Sequence, residues 1–381
     1  MKINMIAFND APQRVFDNGK KLLSKFLPSI NFEYTENTPD ILFFLTGGSE
    51  QNAIKLIKEN KNIILLAHKR DNSYAAATEV KALLNKNGYN SLLLNIEEKD
   101  SQESILLCHS MELDNKPCRL GVIGRPSEWL VASTSRASAL KKKLNIELVE
   151  IPWDTLPTLE DSKMSQELID HFDETEFDLS PTSRIYTMIK ESIIYNGLDA
   201  VTVECFSLIK KYEVTACLPL ALLNDKGIPA GCEGDIASAA GMMFIRKVTG
   251  TIPWMANTVM VSEEKSIFAH CTIPLSLINN HEINTHFETG LGTSIQGDFI
   301  DKKITLFRFD EEIEKVFIAT ATVTATPRHN WACRTQIEVK LSKKDVVKLR
   351  NTPLGNHHLI LPGNHEKKLR TICQSKNFEI I

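Results

Sequence analysis

The most informative segment of this sequence runs from Ile228 to Gly250 and reads IPAGCEGDIASAAGMMFIRKVTG. Its first part is short and rich in small residues, and it closes on two carboxylates, Glu233 and Asp235. Apolar residues then recur at helical spacing as far as Gly250, and glycine is typical of helix C-termini. The pattern therefore predicts a strand, a turn that carries Glu233, and a helix.

The two carboxylates of this segment have different interpretations. Asp235 stands where the helix begins, and an aspartate at an N-cap accepts a hydrogen bond from a free backbone N–H. Capping is therefore at least part of its predicted role. Glu233 lies between Cys232 and Gly234, so its surroundings are small and uncharged. Because ligands bind at the carboxyl ends of strands in open α/β sheets, we expect Glu233 to contact a ligand or a metal ion.

Length and composition indicate a globular protein of two or three domains. The chain has 381 residues, of which 43% are hydrophobic and 24% are charged. A net charge of -4 gives no reason to expect nucleic acid or an acidic membrane as a partner. The eight cysteines lack CxxC or disulfide-framework spacing, and neither a signal peptide nor a membrane-length apolar run is visible. We therefore predict a cytoplasmic protein.

Upstream of this segment, the chain alternates strand and helix patterns. Such alternation predicts a parallel sheet covered by helices. It runs through residues 1–116, is interrupted by the polar segment Asp114–Pro117, and resumes through residues 117–251. The sequence thus predicts two doubly wound α/β domains, with Glu233 in the second.

Downstream, residues 252–381 have a different sequence pattern. Short β-branched segments are separated by turn residues, and only Lys344–Asn351 and His365–Ser375 have helical patterns. This predicts a C-terminal β-rich domain, a barrel or a sandwich. The predicted strands are Thr258–Val261, Ser266–Ile273, Ile304–Phe309, Val316–Thr324 and Thr335–Leu341.

Several polar residues of this β-rich region stand in otherwise apolar surroundings. Taken singly, each is more often a hydrogen-bonded structural residue than a ligand. Taken with Glu233, they combine carboxylates and imidazoles with few thiols, which suits Mn²⁺, Mg²⁺ or Zn²⁺. Their spacing is long-range, so no local metal motif is present. They are Asn257, His270, His286, Glu288, Arg334, Asn356, His357 and His358.

Five segments together carry a resemblance to a known family. They are GRPSEWLVAS at Gly124–Ser133, LNDKGIPAGCEGD at Leu223–Asp235, AHCTIPL at Ala269–Leu275, residues His286–Gln296, and LGNHH at Leu354–His358. Over most of its length the chain resembles L-fucose isomerase-like proteins, which are related to the L-fucose and L-arabinose isomerases. The resemblance implies two α/β domains and a C-terminal β-barrel domain.

The resemblance also implies a metal site. In these isomerases a divalent ion, typically Mn²⁺, is held by a glutamate, a second acidic residue and a histidine. Glu233 matches the glutamate, His357 matches the late histidine with His358 as the alternative, and His270 resembles a further histidine. Asn257 stands where the second acidic residue is expected. An asparagine carbonyl can ligate a hard cation, but it brings no charge and cannot act as a base.

The reaction implied is aldose–ketose isomerisation through an ene-diol, in a homo-oligomer acting on a small sugar. Glu233 would be ligand and base, and Asp235 or a histidine would be the second acid–base group. Two alternatives remain because of Asn257: a carbohydrate-binding or regulatory relative without turnover, and a lyase or epimerase acting on a modified sugar. Candidates for contacts with the sugar are Arg125, Trp129, His286, Glu288, Arg334, Asn356 and His358.

Overall fold

The structure is a computed structural model that describes residues 1–57, 62–114 and 116–381. The chain folds into two compact units, Met1–Asn115 with Lys368–Ile380, and Lys116–Lys367 with Ile381. Residue 115, inside the predicted boundary segment, lies outside the described residues. The three predicted domains, 1–116, 117–251 and 252–381, therefore stay a prediction.

The first unit contains a parallel sheet, as the alternation of strand and helix patterns predicts. Its five strands are ordered β2-β1-β3-β4-β5. The strands β3 and β4 are buried along their whole length, as expected for a parallel sheet with both faces covered. The elements are β1 (Lys2–Ile6), α1 (Gln13–Phe26), β2 (Glu33–Tyr34), β3 (Ile41–Phe44), α2 (Glu50–Leu56), β4 (Ile63–Ala67), α3 (Ser73–Lys86), β5 (Ser91–Asn95) and α4 (Ser101–Leu113).

The second unit begins with another parallel sheet. Its elements are β6 (Cys118–Ile123), α5 (Ala137–Leu144), β7 (Ile146–Ile151), α6 (Gln166–His171), α7 (Ser180–Asn196), β8 (Ala200–Val203), α8 (Cys205–Tyr212), α9 (Cys217–Asp225), β9 (Ala230–Cys232) and α10 (Ile236–Thr249). The four strands are ordered β7-β6-β8-β9. The edge strand β9 leads directly into Glu233.

A closed antiparallel barrel follows in the same unit and confirms the predicted β-barrel. The remaining elements of this unit are β10 (Trp254–Val261), β11 (Ser266–His270), β12 (Ile278–Asn284), β13 (Ser294–Phe299), β14 (Lys303–Phe309), β15 (Lys315–Ala325), β16 (Thr335–Lys340), α11 (Lys343–Asn351) and β17 (His357–Pro362). The chain ends with α12 (Glu366–Ser375) and β18 (Glu379–Ile380), which belong to the first unit from Lys368 onward. The barrel order is β14-β17-β10-β11-β16-β15, closed by pairing of β14 with β15. The strands β12 and β13 form a separate antiparallel pair.

Helix α10 joins the parallel sheet to the barrel. It packs on β8 and β9 on one side and on β14 and β17 on the other. Because both sides are covered, nearly all of its side chains are buried. Phe244 stacks on Phe307 with ring centroids 5.6 Å apart, and a Cβ at Gly241 would lie 2.6 Å from Cδ1 of Leu359. The helix begins after Asp235 and ends at Gly250, as predicted.

Among the described residues, no helix is both long and apolar enough to cross a membrane.

Candidate functional site

Glu233 lies in the tight turn between β9 and α10. Its φ is +61° and that of Gly234 is +71°, so both residues adopt the left-handed conformation. The segment after β6 packs against this turn: the Ser127 N–H donates to the Glu233 carbonyl at 3.0 Å. A Cβ at position 234 would lie 2.6 Å from the carbonyl oxygen of Arg125, so only glycine permits this approach. The backbone of Glu233 is thereby held from both sides.

Three side chains from distant parts of the second unit converge at this turn. Glu233, His270 at the end of β11 and His357 at the start of β17 place one ligand atom each within 4.8 Å of one another. Glu233 Oε1 lies 3.5 Å from Nε2 of His357 and 3.8 Å from Nε2 of His270. Both imidazoles are buried, and neither Nε2 has a hydrogen-bond partner. These three residues were predicted as metal ligands from the sequence.

The ring of His357 is oriented by Asp235. Nδ1 of His357 lies 2.9 Å from Oδ2 of Asp235 and donates a hydrogen bond to it. This bond keeps a proton on Nδ1, so Nε2, 3.5 Å from Oε1 of Glu233, is the nitrogen that can bind a metal once it releases its own proton. A carboxylate behind a metal-binding histidine commonly has this role. His270 is held less firmly, since the Thr272 N–H is 3.3 Å from its Nδ1.

Asp235 is itself enclosed by hydrogen-bond donors. Its Oδ1 accepts from the Ser238 backbone N–H at 2.7 Å, which confirms the predicted N-cap. Its Oδ2 also accepts from Nη1 of Arg308 at 3.1 Å, and both side chains are fully buried. Arg308 donates further to the hydroxyls of Ser238 and Ser133, each at 2.6 Å. Both oxygens of Asp235 are therefore engaged in orienting neighbours.

The charges of the site favour a cation beside Glu233. Burial alone would raise the pKa of Glu233, but His357, His270 and the Trp129 indole lower it to about 2. Burial opposes protonation of His357, but Asp235 and Glu233 outweigh it and raise its pKa to about 9. Burial and the charge of His357 lower the pKa of His270 to about 4. The neutral imidazole of His270 and the ionised carboxylate of Glu233 are thus in the protonation states that metal binding requires.

These residues fit a divalent metal ion. Two buried imidazole nitrogens without partners and one carboxylate oxygen form a nitrogen and oxygen donor set without thiolate. Such a set suits borderline or hard divalent ions such as Mn²⁺ or Zn²⁺. Buried polar atoms without a partner are rare in proteins, so the two Nε2 atoms indicate a missing contact.

An aromatic wall borders Glu233. The Trp129 indole N–H donates to Oε2 of Glu233 at 2.7 Å. The Trp129 ring meets Phe206 edge to face with centroids 4.8 Å apart, and Phe206 meets His286 in the same way at 5.6 Å. Trp129 remains 52% exposed, so part of its ring is free to contact a ligand. The predicted contact residues Trp129 and His286 are thus brought together, with Phe206 between them.

Asn257 lies next to His357 but makes other bonds. The two residues are paired across β10 and β17. The amide of Asn257 accepts from Asn356 and donates to Sγ of Cys333 at 3.9 Å. Asn356 in turn accepts from the Thr258 backbone N–H at 3.1 Å. The two asparagines therefore bond to each other beside the metal ligands.

His358 occupies a different environment from His357. Successive residues of a strand point to opposite faces. His358 accordingly packs edge to face against Phe268 and Phe317, and its Nδ1 lies 2.8 Å from Oγ1 of Thr258. These neighbours come from three strands around the barrel, so His358 lies in the barrel core. Of the two adjacent histidines, His357 is the one that faces Glu233.

The remaining predicted contact residues are Arg125, Glu288 and Arg334. Arg125 is exposed and pairs with Glu204 at 3.6 Å. Desolvation raises the pKa of Glu288, and the charge of Glu233 adds to this effect.

Arg334 donates to the Thr285 carbonyl at 2.8 Å and packs over Phe287 at 6.0 Å. Its charge helps to lower the pKa of His286, so it lies close to the aromatic wall.

Two residues of the site escaped the sequence analysis. Arg308 is the one buried charged residue of strand β14, and a charge buried in such a strand must be paired. That signal could have found it. Phe206 follows β8 without any local feature that distinguishes it from an ordinary core aromatic.

No family model matches the chain. Relatives named sulfoquinovose isomerase, from Priestia aryabhattai and from Priestia megaterium, are each 22% identical to it over an alignment of 295 residues. Each alignment covers 68% of this chain. A third of the same name, from Alkalicoccus urumqiensis, is 21% identical over 204 residues, or 51% of this chain and 46% of its own length.

The chain spans 64% of the length of the two Priestia relatives. The relatives agree with the isomerase part of the resemblance found in the sequence, and they do not single out L-fucose isomerase-like proteins.

Proposed function

We propose that this chain is a sugar isomerase that interconverts an aldose and a ketose with the help of a divalent metal ion. The convergence of Glu233, His270 and His357, with two buried nitrogens lacking partners, carries this proposal. The relatives named sulfoquinovose isomerase support the same reaction class.

The proposed metal ligands are Glu233, His270 and His357, with Asn257 as a neutral fourth candidate. Mn²⁺ is the proposed ion, because imidazole, carboxylate and amide donors without thiolate fit it and because it is typical of the isomerases that the sequence resembles. A bound ion would supply Lewis acidity to the carbonyl and the adjacent hydroxyl of the sugar. Asp235 would hold His357 in the ligand tautomer rather than exchange protons with the sugar, because it is fully buried behind the ring of His357.

Proton transfer would use Glu233 and a second acid–base group. Glu233 is the proposed base, taking the proton from the carbon beside the carbonyl to give an ene-diol. Return of the proton to the neighbouring carbon needs a second group. Glu288 is the proposed candidate, because it feels the charge of Glu233 and its raised pKa favours carrying a proton.

The proposed substrate is a sugar with an anionic end. Trp129 and Phe206 offer an apolar wall for the C–H face of the sugar, and His286 can contact a hydroxyl. Arg334 is a candidate for the anionic end, since it forms no ion pair within the described ranges and lies near His286. The name of the relatives makes sulfoquinovose the first sugar to test.

The alternative is a protein that binds a carbohydrate without converting it. Asn257, which cannot ionise, is the observation that favours it. An epimerase or lyase acting on a modified sugar through the same ene-diol is a further alternative. Product analysis separates these possibilities: ketose formation supports the isomerase, an epimer or a cleaved product supports the related enzymes, and metal uptake with no product supports a binding protein.

The decisive experiment incubates the purified chain with Mn²⁺ or with a chelator and a panel of sugars. Sulfoquinovose, glucose, glucose 6-phosphate, fucose and arabinose would be included. We expect ketose to form from at least one anionic sugar with Mn²⁺ and not with the chelator.

Replacing Glu233 tests its assigned role. Glu233→Gln should reduce turnover by about 10²- to 10⁴-fold, the usual contribution of a general base, with the fold intact by circular dichroism. Glu128→Gln, which alters an exposed carboxylate of the neighbouring segment, serves as the control and should retain activity. Near-normal turnover by Glu233→Gln would contradict the role of Glu233.

A further inference from the structure

The two carboxylate oxygens of Glu233 have different neighbours. Oε2 accepts the Trp129 indole N–H at 2.7 Å. Oε1 is the oxygen close to both histidines, at 3.5 Å from Nε2 of His357 and 3.8 Å from Nε2 of His270. A carboxylate can bind a divalent ion through one oxygen or through both. The indole therefore competes for one of the two possible ligand atoms.

The indole is held in place by its surroundings. Phe206 meets the Trp129 ring at an interplanar angle of 82°, which opposes rotation of the ring. The segment that carries Trp129 is bonded to the turn itself, through the Ser127 N–H and the Glu233 carbonyl at 3.0 Å. Trp129 and Glu233 are therefore positioned relative to each other by backbone as well as side-chain contacts.

We propose that Trp129 is a positioning residue for the metal site: its N–H holds Oε2 of Glu233 and leaves Oε1 alone to bind the ion with the two histidines. This inference rests on the metal site of the proposed function. The hydrogen bond from the Trp129 N–H fixes the orientation of the Glu233 carboxylate. Loss of this bond should weaken metal binding, as loss of residues that hydrogen-bond to metal ligands generally does. The exposed part of the same ring remains available to the sugar.

Two variants separate the hydrogen bond from the aromatic surface. Trp129→Phe keeps an aromatic ring and removes the donor. Trp129→Gln removes the ring and places an N–H the same number of bonds beyond Cβ as the indole does. The matched control is Trp331→Phe, because Trp331 is 51% exposed but stacks on His329 instead.

The measurement is a titration of each metal-free protein with Mn²⁺, followed by electron paramagnetic resonance of the free ion. We expect Trp129→Phe to weaken Mn²⁺ binding about tenfold. Trp129→Gln should recover most of that affinity while raising the KM for the sugar, and Trp331→Phe should bind Mn²⁺ like the wild type. Unchanged melting temperatures would show that the variants are folded.

The outcomes distinguish this inference from the proposed function. Mn²⁺ affinity of Trp129→Phe equal to that of an active wild type would overturn the positioning role and leave the isomerase intact. Equal weakening in Trp129→Phe and Trp129→Gln would also overturn it, because an N–H donor in the same place would then fail to restore Mn²⁺ affinity. A wild type that takes up no divalent ion would overturn both.

Discussion

Asp235 serves three neighbours at once. It caps α10 through the Ser238 N–H, pairs with Arg308 and accepts a hydrogen bond from Nδ1 of His357. Because Asp235 and Arg308 are fully buried, neither charge can be compensated by water. Gly355 makes room for this pair, since a Cβ there would collide with the guanidinium of Arg308. The position of His357, a proposed metal ligand, thus depends on one buried ion pair behind it.

Neutralising Asp235 is therefore predicted to be costly. Asp235→Asn leaves the guanidinium of Arg308 buried without its counter-charge, which should lower the free energy of unfolding by about 3–5 kcal/mol. Urea denaturation at pH 7 measures this loss. Ser342→Ala, which removes the N-cap of α11, is the control and should cost only about 1 kcal/mol. A loss for Asp235→Asn no larger than that for Ser342→Ala would contradict the role of the ion pair, because asparagine still caps a helix.

At the scale of elements, the site depends on how closely the segment after β6 approaches the turn before α10. The carbonyl of Arg125 occupies the space that a side chain at position 234 would need. The same approach brings Trp129 to the carboxylate of Glu233. A displacement of this segment should therefore disturb the site without unfolding the sheet or the barrel.

Gly234→Ala tests this dependence. The new Cβ would lie 2.6 Å from the Arg125 carbonyl oxygen, so the segment must move, and we expect weaker Mn²⁺ binding and lower turnover. Gly250→Ala is the matched control, because its φ of +77° is similar and nothing lies within 4 Å of the added Cβ. Both variants carry the backbone strain of about 1–2 kcal/mol for a left-handed alanine. Loss of function in both, or in neither, would contradict the explanation.

At the scale of the whole molecule, pH should affect stability through Glu167. This glutamate of α6 accepts from Lys190 at 2.7 Å and from Tyr186 at 3.0 Å, both in α7, and it pairs with Lys226 after α9. Hydrogen bonds from Lys190 and Lys226 outweigh the effect of burial, which would raise the pKa of Glu167, and lower this pKa to about 2. Three helices are thereby linked by one carboxylate.

The sign of the pH effect follows from the lowered pKa. The stabilisation by Glu167 is present above its ordinary pKa of 4.5 and is lost as the pH falls toward about 2. Wild type should therefore lose stability more steeply than Glu167→Gln between pH 5 and 3 in urea denaturation at each pH. Glu176→Gln, at an exposed glutamate, should behave like the wild type. Parallel curves for wild type and Glu167→Gln would exclude this link.

The homo-oligomeric state and the cytoplasmic location stay predictions.

Several features follow from local sequence because their physical causes are local. An aspartate before an apolar run and a glycine after it gave the correct bounds of α10, since caps satisfy backbone groups within one turn. The turn at Glu233, the parallel sheets and a β-rich barrel or sandwich were also predicted from spacing and from the pattern of strands, and the family resemblance favoured the barrel. The choice of Glu233, His270 and His357 came from residue types and from a family resemblance, not from spacing.

Other features depended on contacts between distant segments. β17 was not predicted, because its residues are buried almost throughout and show no alternation of polar and apolar residues. Without that strand, nothing local distinguishes His357 from His358. The register that pairs His357 with Asn257 turns one ring toward Asp235 and the other into the barrel. The burial of Arg308 likewise appears only when β14 packs against α10. Caps and turns are set by neighbours along the chain, whereas the orientation of His357 is set by distant segments, through the pairing of its strand with β10 and its hydrogen bond to Asp235, 122 positions away.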